Sequence, residues 1–126
     1  MADNRNTQNR RPAPTPIDNA YGHIPPQAVE IEQVVLGALL IDGDAFGVVS
    51  EMLRPEPFYD PRHKHIFTAI QTLNMTERPA DILTVREELL KMGKLEDAGG
   101  PMYLVELSSK VSSSASVEYH SRILAQ

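Results

Sequence analysis

With 126 residues, of which 41% are hydrophobic and 23% charged, the chain has the length and composition of one soluble globular domain with a single core. Its formal net charge is −5; residues 1–25 carry +1, so the remaining 101 carry −6 and lack the lysine and arginine surplus that drives tight binding to nucleic acid. The absence of cysteine excludes disulfides and cysteine-ligated zinc, and fits a reducing compartment.

Residues 1–23 are rich in Asn, Gln, Arg and Pro, with Pro12, Pro14 and Pro16 alternating and only Ile17 and Tyr21 as larger apolar groups. Such a segment buries too little surface to offset its ordering entropy, which predicts a disordered tail. It lacks a basic region followed by an apolar run, so no secretory signal is read and a cytoplasmic home is the default. From Pro26 to about Leu40 the pattern is helical, with proline allowed in the first turn and Glu30 and Glu32 placed as first-turn charge or a solvated face. Between Val29 and Ile41 apolar residues cover every face, so other helices must wrap this one. The run falls short of the roughly 18 to 20 apolar residues a bilayer requires, so no membrane role is expected. Gly37 within it costs about 1 kcal/mol relative to alanine, and close approach of a second helix is the favoured reason for its presence.

Asp42-Gly43-Asp44 predicts a turn and an N-cap for a second helix over about 45–53, with Phe46, Val49 and Leu53 on one face. Arg54-Pro55-Glu56-Pro57 breaks the chain. Asp60 before Pro61 then predicts a capped third helix to about Asn74, burying Ile66, Phe67, Ile70 and Leu73, with His63 at the head of the stripe and Phe58 and Tyr59 packed beneath the cap. For the fourth helix Thr84 and Glu87 have capping-box spacing, although Asp81 could cap one turn earlier; Val85, Leu89 and Met92 face inward and Gly93 stops it. Gly99-Gly100-Pro101 restarts the chain, and Met102, Tyr103, Leu104 and Leu107 make a short fifth helix. Ser108, Ser109, Ser112, Ser113 and Ser114 read as linker or turn. A last helix starts near Ala115 with Val117, His120, Ile123 and Leu124 at helical spacing and has no stop signal before Gln126, as if the polypeptide continued. No strand signal is sustained, so the expected fold is all-α, a compact bundle of about six helices.

Signals for chemistry are weak. His63 and His65 sit two residues apart, about 200° around a helix, a poor shape for one metal; Glu30/Glu32 share the defect, and both they and the adjacent Glu87/Glu88 read as solvated faces or first-turn charge. There is no G-x-S-x-G elbow, no G-x-x-x-x-G-K-[ST] loop and no G-x-G-x-x-G, and Asp44 between Gly43 and Gly47 would repel a phosphate. No catalytic, cofactor-binding or metal-ligating residue is assigned. Two alternatives stand beside an interaction domain. One is a helix-turn-helix nucleic-acid module, weakened because the fourth helix sets Arg86 and Lys91 against Glu87 and Glu88. The other is a small metal hydrolase built on His63, His65 and His120.

Taken in order, Pro25-Pro26, Glu30, Glu32-Gln33, Leu36-Gly37, Phe58-Tyr59, His63, Ile66-Phe67, Pro79, Asp81, Thr84-Val85, Leu89, Gly99-Gly100, Tyr103-Leu104, Leu107, Tyr119 and Ile123 resemble the N-terminal domain of the replicative DNA helicase, the DnaB family. The resemblance covers about residues 24–126 and rests on order and spacing. It implies a DnaB-helicase N-terminal-domain-like fold that ends before a linker and a RecA-like motor domain. In that family the whole protein is a hexameric ring that unwinds DNA with ATP and Mg; no cofactor is expected in this segment. The implied role is a scaffold: a collar with trimer-of-dimers symmetry, contacting itself as dimer and hexamer, and docking primase and, as a further candidate, a helicase loader. The family's N-terminal domain continues into a helical hairpin that pairs protomers, and this chain would stop inside its first helix, which puts stable oligomer formation by the segment alone in question. Candidate protomer contacts are the turn at Gly100, Pro101, Met102 and Tyr103 and the terminal-helix residues Tyr119 and Ile123, with core packing the competing role for Tyr103 and Ile123.

Overall fold

A computed structural model describes residues 26–126, so the expected tail over 1–23 and the first proline of the pair at 25 and 26 lie outside the described residues. Among the described residues there are six α-helices and no strand: α1 (Pro26–Ile41), α2 (Phe46–Val49), α3 (Pro61–Met75), α4 (Ile82–Lys91), α5 (Gly100–Ser109) and α6 (Val117–Ala125), with a 3-10 turn (Gly43–Ala45) before α2. No described helix is long and apolar enough to cross a membrane.

The helix that is apolar on every side is the central one. Val35, Leu36, Ala38, Leu39 and Leu40 of α1 are all buried, and α3, α5 and α6 pack around it. At Gly37 the approach is closest: a Cβ there would stand 2.2 Å from the backbone oxygen of Leu107, so α1 and α5 meet main chain to main chain. The expected reason for this glycine is therefore the observed one. Across the core, Phe46, Phe58 and Phe67 form a chain of tilted ring contacts with centroids 5.7 and 5.0 Å apart.

Local signals set most boundaries. Asp60 caps α3, its Oδ1 accepting from Arg62 N at 2.9 Å with proline in the first turn. At α4 the earlier cap wins: Asp81 Oδ1 accepts from Thr84 N at 2.9 Å while Thr84 Oγ1 accepts from Asp81 N at 2.8 Å, a reciprocal box that leaves Glu87 out of the cap. Gly93, at φ +70°, reverses the chain after α4, where Lys94 N donates to Leu89 O and Gly93 N to Leu90 O.

Two expected lengths change. The second helix is regular only over Phe46–Val49 and runs on as turns to Leu53, because the bonds at Glu51 and Met52 reach back three residues and Arg54 precedes a proline. It still buries Phe46, Val49 and Leu53 together. The fifth helix is longer than expected, opening at Gly100 and including Ser108 and Ser109, whose hydroxyls donate back to the carbonyls of Val105 and Glu106. Ser114 in the following turn donates to Asp42 Oδ2 at 2.6 Å, tying the serine-rich segment to the corner after α1.

Candidate functional site

The expected protomer-contact residues separate by burial. Pro101 is exposed and Met102 and Tyr119 are 74% and 63% exposed, whereas Tyr103 is buried, Gly100 is buried with it and Ile123 is intermediate. Gly100 to Tyr103 thus form the first turn of α5 rather than an exposed turn. Gly99 precedes it at φ +102°, and a side chain there would strike the Tyr103 ring at 2.8 Å.

Tyr103 is held inward by a polar clamp at the junction of α1, α3 and α5. His63 is fully buried; its Nδ1 lies 2.7 Å from Glu32 Oε1 and its Nε2 lies 2.6 Å from the Tyr103 hydroxyl. The Tyr103 oxygen also accepts from Gln33 Nε2 at 3.2 Å. Glu32, 1% exposed, accepts further bonds from the backbone N–H groups of Tyr59 and Asp60. One arrangement satisfies every polar atom: the imidazole Nδ1–H donates to the carboxylate, and Nε2 accepts the phenol proton. Burial pushes the Tyr103 phenol above its ordinary value, partly offset by the Gln33 hydrogen bond.

At the rim, Arg62 places its guanidinium carbon 4.1 Å from the Tyr103 ring centre and grips Asp60, with Nη2 2.7 Å from Oδ2. Burial raises the Asp60 carboxyl, but the Arg62 side-chain hydrogen bond, the Arg62 backbone N–H and the Arg62 charge hold the group below its ordinary range. Three segments distant in sequence are thereby locked in register.

Glu32 and Glu88 correct the expectation of solvated acids. Two positions apart on a helix point about 200° apart, so Glu30 faces out while Glu32 faces in among Val35, Leu36 and Leu39. Glu88, 7% exposed, likewise turns inward from exposed Glu87 and takes Arg78 at 3.1 Å and Lys91 at 3.7 Å. The sequence signal that would have found Glu32 is an ionisable residue three and four positions from core residues on a buried stripe.

The two alternatives gain no support. His63 is spent in the clamp, and among the described residues no group of three or more His, Asp or Glu could hold a metal ion. On α4, Lys91 is drawn to Glu88, leaving Arg86 as a lone cation beside Glu87, the opposite of a basic recognition helix. A shallow cleft of about 280 Å³ at the α1–α2 corner is lined by Asp42, Asp44, Ser114 and Glu118 among others, an acidic lining unsuited to phosphate.

Residues 24–126 match the family described as DnaB-like helicase N terminal domain. The chain is 54% identical over 105 residues to the replicative DNA helicase DnaB of Rhodothermus marinus, covering 83% of this chain and 11% of that protein. It is 44% identical over 103 residues to the replicative DNA helicase DnaB of Geobacillus stearothermophilus, covering 82% of this chain and 23% of that one. The chain therefore spans between about a tenth and a quarter of the length of these relatives. Among solved structures, the N-terminal domain of DnaB helicase from Mycobacterium tuberculosis superposes with a TM-score of 0.77 at 42% identity, over 81% of this chain and 71% of that one. A DnaB-like replicative helicase described with its interactions with primase superposes with a TM-score of 0.65 at 28% identity, over 75% of this chain and 22% of that one.

Proposed function

This chain belongs to the DnaB-like helicase N terminal domain family, and from that premise we propose that it is the assembly and docking domain of a hexameric replicative helicase, forming the collar of the ring and receiving primase. The observation that carries the reading is the shared fold and sequence with a helicase described together with primase. The division into a tail over 1–23 and a helical domain over 24–126 belongs to the same proposal, as do a cytoplasmic location and a helicase loader as second docking partner. ATP and Mg would act in a motor domain outside this chain, and the strand separation they drive is likewise the whole protein's.

The geometry suits such a role. A collar must keep its contact surfaces fixed while a motor moves beneath it, and the clamp through Glu32, His63 and Tyr103 joins α1, α3 and α5 as one body. On that body Pro101, Met102 and Tyr119 stand exposed as candidate protomer contacts, with Ile123 beside them on α6. Repeating one docking surface around a ring raises the effective concentration for a multivalent partner, so contacts that are weak singly suffice together.

The test is size-exclusion chromatography with light scattering on the whole helicase and on a version lacking residues 24–126, each mixed with the cognate primase. The whole protein should elute as a hexamer carrying primase, and the truncated one should lose primase while keeping ATP hydrolysis. Retention of primase by the truncated ring, or ATP hydrolysis by residues 1–126 alone, would overturn the proposal.

A further inference from the structure

We infer that the solvent face of α4 receives the same face of a second copy of this chain, antiparallel, about a twofold axis passing between Arg86 and Glu87. The inner face of this helix is committed to the core through Val85, Glu88 and Leu89. Its outer face carries Leu83 and Leu90, 59% and 65% exposed. They lie seven residues apart, about 10 Å along one stripe of the helix. Between them stand Arg86 and Glu87, both exposed, and neither side chain has an ion-pair or hydrogen-bond partner among the described residues. Their neighbours differ: Arg78 and Lys91 both engage Glu88.

A single exposed leucine calls for no explanation. Here the order of side chains is its own complement. Reversing the helix about the midpoint between positions 86 and 87 lays Leu83 on Leu90 of the second copy and Arg86 on Glu87 of the second copy, each twice by symmetry. A twofold contact requires this self-complementarity. A parallel pairing would set Arg86 on Arg86 and Glu87 on Glu87, so the charges select the antiparallel arrangement. One ten-residue helix face is small beside the roughly 1,200 Å² that a stable interface buries. The contact is therefore weak between free chains and strengthens where copies are already held together. It uses none of the residues assigned above to protomer contacts and does not depend on the helicase reading.

Because the sequence contains no cysteine, single introduced thiols report cleanly. Leu83→Cys and Leu90→Cys chains, mixed at equal concentration and gently oxidised, should give the mixed disulfide in roughly tenfold excess over either homodisulfide, reflecting the raised local concentration. In sedimentation equilibrium, Arg86→Glu and Glu87→Arg should each weaken self-association roughly tenfold, and the double reversal should restore it. All four positions are exposed, and unchanged thermal unfolding confirms that the variants fold. A statistical disulfide distribution, or a double reversal as weak as the singles, overturns the inference. So does a pattern in which the charge variants lose primase without altering self-association, since the face would then belong to a different protein.

Discussion

The central helix is held in two different ways less than two turns apart. At Glu32 and Gln33 it is fastened by directional bonds to the start of α3 and to Tyr103 on α5. At Gly37 it is pressed against the Leu107 carbonyl of the same α5 with no side chain between. The first contact specifies register, because the donors around Glu32 are met only in one alignment; the second specifies distance, because nothing larger than hydrogen fits. A ridge of leucines alone would leave both looser, since apolar packing is non-directional.

Removing the polar fastening should have the larger effect. Glu32→Ala removes the acceptor shared by the half-buried N–H groups of Tyr59 and Asp60 and the fully buried His63 ring, and urea unfolding should show a loss of about 3–5 kcal/mol. A loss under about 1 kcal/mol would mean that water enters and the clamp does not specify register. Gly37→Ala tests the distance contact. Although alanine favours helix by about 1 kcal/mol, forcing α1 and α5 apart should give a net loss of about 2 kcal/mol. A stabilised variant would show that the helices separate at little cost.

The rim sharpens the comparison through pH. Asp60 is held below its ordinary 3.8, so its contribution to stability is complete above that value and is lost as pH falls through the lowered one. Asp60→Asn, which keeps the cap but not the charge, should leave stability at pH 7 slightly reduced and flatten its decline as pH falls below the ordinary 3.8. An unchanged acid limb in the variant would show that Arg62 grips a group of no consequence to folding.

Much of this architecture could be read from the chain, because the signals are local. Asp60-Pro61, Gly93 and the apolar runs of α1 and α3 act within a turn or two of themselves, and each produced the expected boundary or buried face. The second helix was overextended because the failing geometry after Val49 leaves no mark in residue type. The clamp was missed because Glu32, His63 and Tyr103 stand 31 and 40 residues apart, and each by itself looks like an ordinary surface acid, an uncommitted histidine and a packing aromatic. Tyr103 shows the ambiguity: a candidate for contact by sequence, it is buried, while its neighbour Met102 is exposed.

By itself the sequence determined that the chain is helical, where most helices start, and which family it resembles, since caps, glycine stops and hydrophobic period are properties of neighbouring residues. Which face of each helix is spent was settled only by tertiary structure. Burial of Glu32 and Glu88, the contact at Gly37 and the leucine stripe left outside on α4 depend on what another segment brings near. The physical reason is that a polar or small residue has no fixed role until its partners arrive: the same carboxylate is solvated alone and becomes a fastening where three donors converge.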